Sequence, residues 1–124
     1  YQKIKNVLNN ESKGVYQGKI FVKNTAQKTD AYQLSRALIL NDKAEFDAKP
    51  ELEIYADDVK CSHGSTSGSI DLDSIHYLKS RGIPEKEAYQ MLINGFLCEV
   101  LEKLNEKNLK KFLLQKLEEQ IHGY

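Results

Sequence analysis

The chain has 124 residues, of which 40% are hydrophobic and 29% charged, and its 18 basic and 18 acidic side chains balance. This length predicts one domain with a modest core. The even charge argues against nucleic acid or an anionic membrane surface as a partner. No apolar run approaches the ~20 residues of a membrane helix, and no signal peptide is visible. Because the sequence begins with Tyr1 rather than Met, we expect a piece of a longer protein.

The two cysteines, Cys61 and Cys98, lie in segments of different predicted type. Without secretory features, this distribution favours reduced thiols over a disulfide framework. The sequence therefore predicts a cytoplasmic protein.

Short runs with strand character fill the first part of the chain, separated by turns rich in Asn, Asp and Gly. The runs are 1–8, 15–22, 51–56 and 59–63, whereas 37–40 is ambiguous between helix and strand. Gly18, inside the second run, suggests a bulge or the close approach of another backbone. Pro50 is expected to open the strand 51–56, which shows the clearest alternation.

The spacing of these runs restricts the architecture. Their centres near Phe21, Ile39 and Ile54 are 18 and 15 residues apart. This is too wide for tight hairpins, and no helix of useful length fits between them. A β-solenoid with stacked coils and an antiparallel sandwich with long loops both satisfy the spacing.

Helical periodicity replaces the strand pattern after Gly68. A first helix is predicted from Asp71 or Asp73 to a stop at Gly82. Pro84 opens a second, whose apolar stripe continues to Leu104. A third begins at Asn105 or Asn108, with Leu109, Phe112, Leu113, Leu117 and Ile121 on one face. The predicted class is α+β, with strands in 1–70 and about three helices in 71–124.

Cys61 and His63 are the strongest candidates for chemistry, because side chains two residues apart on a strand share a face. A thiol and an imidazole suit a soft metal. A closed zinc site needs four ligands, and Cys98, His76 and His122 are scattered through the helical part. Three interpretations remain open: a packed pair, a half-site completed by a partner chain, or cysteine–histidine catalysis without a visible third residue.

Two neighbouring patterns have simpler explanations. The loop Gly64–Gly68 lacks the lysine of a phosphate-binding P-loop and is predicted to be a polar turn. Asp57 and Asp58 would point to opposite faces of a strand, so we expect a turn rather than a pair of acids.

Several runs together resemble the C-terminal part of the SufB/SufD family of iron–sulfur cluster assembly scaffold proteins. These runs are Gly14–Ile20, Ala26–Ala31, Lys49–Gly64 and Tyr77–Pro84. SufB has a glutamate where this chain has Gly64, so the resemblance is to the SufD branch. Ser65 and Ser67 stand where alanine and valine are usual in that branch.

The resemblance implies a right-handed parallel β-helix followed by a C-terminal helical region. It implies a scaffold subunit rather than an enzyme, which pairs with SufB through the β-helix and docks the ATPase SufC through the helices. Cys61 and His63 would then bind a nascent, transient iron–sulfur cluster whose other ligands come from SufB. A purely structural interaction module is the alternative, and a homodimer is an option for the isolated chain.

Overall fold

The structure, a computed structural model, describes residues 1–121 and divides into two compact units, Tyr1–Ser69 and Ile70 onward. The first unit contains strands and the second contains helices, so the predicted α+β class is confirmed. His122, which the sequence places near a chain end, lies outside the described residues.

Five strands build the first unit. They are β1 (Gln2–Leu8), β2 (Lys13–Val22), β3 (Asp30–Ile39), β4 (Glu45–Ile54) and β5 (Lys60–Ser69). The odd-numbered strands form one sheet in the order β1-β3-β5, and β2 and β4 form another. Every neighbouring pair is parallel, with Lys13 opposite Glu45 and Asp30 opposite Lys60. The chain therefore alternates between two sheets and returns to each after about 30 residues.

Alternate side chains of these strands point into the space between the sheets. The inner face of β4 carries Phe46, Ala48, Pro50 and Leu52, each half-buried. Val22 at the end of β2 and Ala37 in β3 are buried. The segment 37–40 was ambiguous between helix and strand. Its first three residues are the end of β3, so it is a strand.

Pro50 lies inside β4 and does not open it, contrary to the prediction. On the side of β2, the Glu45 N–H donates to the carbonyl of Ser12, directly before β2, at 3.0 Å, and the Tyr55 N–H donates to that of Val22 at 2.9 Å. Successive residues of a strand direct their backbone groups to opposite sides, so Pro50 has its nitrogen on the side away from β2. A proline is tolerated in an edge strand at such a position, because no ladder hydrogen bond is lost.

Gly18 sits in regular register opposite Pro50, so the expected bulge is absent from this strand pair. The close approach at Gly18 comes from side chains rather than from backbone. A Cβ atom added there would lie 2.2 Å from the Tyr16 hydroxyl oxygen and 2.6 Å from Gln33 Nε2. Glycine is therefore required because two polar side chains occupy its space.

The second unit contains α1 (Leu72–Ser80), α2 (Glu85–Cys98) and α3 (Lys107–Ile121), with a 3₁₀ turn at Glu99–Leu101. The predicted stop of α1 is confirmed, since Gly82 follows it with φ +87°. The second helix ends at Cys98, six residues before the apolar stripe does. Of the helices in residues 1–121, none is both long and apolar enough to span a membrane.

The apolar stripes of α2 and α3 are not packed along their whole length. A Cβ atom added at Gly95 of α2 would meet nothing within 4 Å. On α3 the predicted apolar face is only partly covered. Ile121 is buried there, whereas Leu109 and Phe112 are exposed. Helical periodicity thus identified the apolar positions without showing which of them pack inside this unit.

Asp71 caps α1, and its removal should have a pH-dependent effect. Its carboxylate accepts hydrogen bonds from the Ser74 hydroxyl and, at 3.1 Å, from the Asp73 backbone N–H. These bonds, the one from Ser74 above all, hold the pKa of the Asp71 carboxyl below its ordinary value. Because its pKa is lowered in the folded state, the ionised carboxylate stabilises the fold at pH values above the ordinary carboxyl pKa. This stabilisation is lost as the pH falls through the pKa of the folded state. We expect Asp71→Ala to lower the thermal midpoint at neutral pH, by less as the pH falls through this range.

The matched control for this capping prediction is Asp71→Asn, which keeps an acceptor at the N-cap but has no charge. It should retain more stability than Asp71→Ala at neutral pH. Thermal unfolding of the full-length protein, followed by circular dichroism, measures both variants. A gap between wild type and Asp71→Ala that is constant with pH would contradict the prediction.

Candidate functional site

Cys61 and His63 lie near the start of β5, and the extended conformation predicted for this segment is confirmed. They are two residues apart, so their side chains leave the same face, with Cα atoms about 6.6 Å apart. The strand continues through Gly64–Gly68 to Ser69, where the sequence predicted a polar turn. The candidate pair is therefore held by regular strand backbone on both sides.

The register of β5 against β3 defines that face. Ala31 lies opposite Cys61, and Gln33 lies opposite His63. Opposite residues of parallel strands point to the same side of the sheet. Gln33 is fully buried between the sheets, whereas Cys61 is half-buried and His63 is exposed. The inner face thus continues onto β5 but is uncovered there, since β4 is the last strand of the facing sheet in residues 1–121.

One long edge of β5 is also free of strand pairing in the described part of the chain. The backbone N–H of Lys60 donates to the Thr29 carbonyl at 2.8 Å, on the side of β3. Because backbone direction alternates along a strand, the even-numbered residues of β5 bond to β3. The backbone groups of Cys61, His63 and Ser65 then face the free edge. The candidate side chains and the unpaired backbone groups belong to the same residues.

The donor set at this position is small. Across residues 1–121, no three His, Cys, Asp or Glu side chains come together in a way that could hold a metal ion. Thiolate and imidazole are nevertheless ligands that iron and iron–sulfur clusters accept. The pair can supply two ligands, and a tetrahedral centre needs more.

The remaining cysteine and histidine candidates belong to the helical unit. Cys98 ends α2, where its thiol donates to Asn94 Oδ1 at 2.9 Å. Burial, with a smaller contribution from Glu118, raises the pKa of the Cys98 thiol, which favours the protonated form. His76 is exposed on α1. Cys98 is therefore a half-buried, protonated thiol.

Asp57 and Asp58 form an exposed bend between β4 and β5, as predicted. The Asp58 backbone N–H donates to Gln27 Oε1 at 2.9 Å, and the Lys28 N–H donates to the Asp58 carbonyl at 2.5 Å. Lys28 adopts a left-handed conformation with φ +63°. These bonds join the turn before β3 to the turn before β5. They therefore fix where the two strands start relative to one another.

Sequence reasoning missed the polar residues behind the candidate pair. Gln33 and Ser35 are fully buried in β3, and Gln33 Oε1 and Ser35 Oγ have no hydrogen-bond partner among the described residues. In the sequence both alternate with Tyr32, Leu34 and Arg36, which suggests a solvent-exposed polar face. The usable signal was Gly18, whose missing side chain leaves room for Gln33 Nε2.

A family model described as "SUF system FeS cluster assembly, SufBD core domain" matches residues 1–96. The iron–sulfur cluster assembly protein SufD of Escherichia coli is 43% identical over 119 residues, covering 96% of this chain and 28% of that protein. SufD of Bacillus subtilis is 36% identical, covering 93% of this chain and 26% of that protein.

A third relative, the SufBD family protein slr0076 of Synechocystis, is 40% identical over 109 residues, which cover 88% of this chain and 24% of that protein. The chain thus spans less than a third of the length of the curated relatives that it matches. The family model covers most of the chain, including every strand and the site on β5. The chain therefore belongs to the SufBD family of the SUF iron–sulfur cluster assembly system.

Proposed function

We propose that the chain is part of a non-enzymatic, SufD-type scaffold subunit on which an iron–sulfur cluster is assembled, in a cytoplasmic complex. Cys61 and His63 provide two ligands to the nascent cluster, and a SufB-type partner provides the others. The observation that carries this proposal is their position on an uncovered face of β5, beside a free strand edge. An incomplete site at an open edge is suited to completion by a second chain.

We infer further that the strand unit is one end of a right-handed parallel β-helix. The alternation of strands between two parallel sheets, with a return after about 30 residues, supports this architecture. Tight turns join successive strands, as at Asn41–Lys43 before β4. The open end of such a β-helix is the surface on which we place SufB-type pairing.

The helical unit is proposed to dock the SufC-type ATPase. Its support is the amount of apolar side chain that the described helices leave exposed. Phe112 and Leu109 on α3 are 55% and 46% exposed, and Met91 on α2 is 51% exposed. Aromatic residues and methionine are enriched where proteins bind one another.

The ligand role is tested by anaerobic cluster assembly in the complex of the full-length subunit with its SufB-type and ATPase partners. We expect His63→Ala and Cys61→Ser each to lower the cluster yield by roughly tenfold or more, since loss of even an outer-shell partner of a metal ligand costs about 10–100-fold. The visible absorption of the assembled cluster gives the yield. Complex formation, followed by size-exclusion chromatography, should be unchanged.

The chain offers matched controls for both substitutions. His76→Ala removes an exposed histidine on α1, and Cys98→Ser removes a half-buried cysteine on α2. Both should assemble cluster as wild type does. Undiminished assembly by both His63→Ala and Cys61→Ser would show that the ligand role is wrong. Loss of complex formation, with no specific loss of cluster, would favour the purely structural module.

A further inference from the structure

Three polar side chains form a continuous row on the inner face of the β1-β3-β5 sheet. Gln2 lies opposite Gln33, and Gln33 lies opposite His63, so the row crosses all three strands. Neighbouring strands are about 4.8 Å apart, so adjacent members of the row can contact one another. The middle residue, Gln33, is fully buried, whereas the two outer members are exposed.

The hydrogen bonding of Gln33 leaves its carboxamide oxygen without a donor. Its amide Nε2 donates to Gln2 Oε1 at 2.9 Å, which directs the NH₂ group towards β1. Its Oε1 is buried and has no hydrogen-bond partner in residues 1–121. A buried acceptor left unpaired costs free energy comparable to that of a lost hydrogen bond. The strand on the other side of β3 from β1 is β5, where His63 lies opposite Gln33 and carries a ring N–H that can donate.

The position of Gln33 is itself restricted by packing. Its Nε2 lies above Gly18 of β2, close to the Tyr16 hydroxyl, and any side chain at position 18 would displace it. A glutamine fixed in this way cannot easily rotate its amide, because Gln2 holds the NH₂ end. Its oxygen is thus a buried acceptor held on β3, opposite the position of His63 on β5.

We propose that Gln33 is a positioning residue for His63. Its carboxamide oxygen accepts a hydrogen bond from one ring N–H of His63 while the other ring nitrogen binds iron. Metal-bound histidines almost always donate their second N–H to an acceptor, which fixes the tautomer and the ring orientation. This inference rests on the proposed ligand role of His63. Gln33 would orient the His63 ring through this hydrogen bond and would not itself bind the cluster.

The test is anaerobic titration with Fe²⁺ of the complex between the full-length subunit and its SufB-type partner. Gln33→Met keeps the length of the side chain but removes the acceptor. We expect it to weaken Fe²⁺ binding by about 10–100-fold. Gln33→Asn, which withdraws the amide by one methylene, should also weaken binding and serves if the Met variant folds poorly. Gln33→Glu retains an oxygen acceptor and should bind more tightly than either.

A matched control lies one inner position further along β3. Ser35 is also fully buried with an unpaired oxygen, but it lies opposite Ser65 rather than His63. Ser35→Ala should leave Fe²⁺ affinity unchanged. A double-mutant cycle then separates positioning from general packing. In the His63→Ala background, Gln33→Met should cause no additional loss.

The outcomes separate this inference from the function on which it rests. If His63→Ala binds Fe²⁺ as wild type does, the ligand role itself is wrong. If His63→Ala loses affinity but Gln33→Met does not, only the positioning role is wrong. Equal losses from Gln33→Met with and without His63, or a Glu variant as weak as the Met variant, would also overturn it.

Discussion

Gly18→Ala should destabilise the strand unit by about 1–3 kcal/mol, the usual cost of forcing an extra group into a packed interior. The added methyl group would lie 2.2 Å from the Tyr16 hydroxyl and 2.6 Å from Gln33 Nε2. The Tyr16 hydroxyl belongs to a ring with few rotamers, and Gln33 is held by its bond to Gln2. Urea unfolding of the full-length protein measures the change through its midpoint.

Gly14→Ala is the matched control for this substitution, because Gly14 lies on the same face of β2. The three atoms nearest to its added Cβ atom would be side-chain carbons of Leu8 and Phe46, at 3.0–3.2 Å. A shift of a few tenths of an ångström relieves those contacts, so the loss should be smaller. Equal losses at the two glycines would contradict the argument from the polar side chains.

Two adjacent proline substitutions in β5 should have opposite consequences. The Ser65 N–H faces the free edge, so Ser65→Pro should leave the pairing with β3 intact but block pairing with a partner strand. We expect at least a tenfold weaker complex with the SufB-type partner, equivalent to about 1.4 kcal/mol. Proline is tolerated on edge strands for this reason.

Thr66→Pro is the counterpart to the Ser65 substitution. Its N–H faces β3, so proline removes a ladder bond and should cost about 1–3 kcal/mol of stability in the free subunit. Size-exclusion chromatography measures the complex, and urea unfolding measures the subunit alone. A Ser65→Pro subunit that binds its partner with wild-type affinity would exclude β5 edge pairing.

Much of the fold follows from local sequence, and the failures have a common physical cause. The helix stop at Gly82 and the capping by Asp71 are local and were predicted. The full length of β5 is not a local property. The composition of β5, rich in serine and glycine, is typical of a turn, yet these residues pair with β3. The two strands pack closely, since a Cβ atom added at Gly64 would lie 3.3 Å from Leu34 Cδ1. Pairing between residues 30 apart overrides the local preference of an exposed edge strand.

The site shows the same division. Cys61 and His63 could be placed on one strand face by counting alone. Gln33 could not be recognised, because a buried glutamine and an exposed one give the same alternation in sequence. Only the register, which brings Gln33 opposite His63, shows that it belongs to the site. The family resemblance gave Cys61 and His63 an expected role but did not point to the buried polar row behind them.

The joined turns at Lys28 and Asp58 have a consequence for how this protein can vary in length. They set the offset between β3 and β5, so they determine which residues of β5 face inward. A residue inserted within β5 before Cys61 would turn both Cys61 and His63 to the outer face, because strand side chains alternate. A residue inserted in the loop 40–44 would lengthen only that loop and leave the register of β4 and β5 unchanged. Length changes should therefore be confined to loops whose extra residue leaves the strand offsets unaltered.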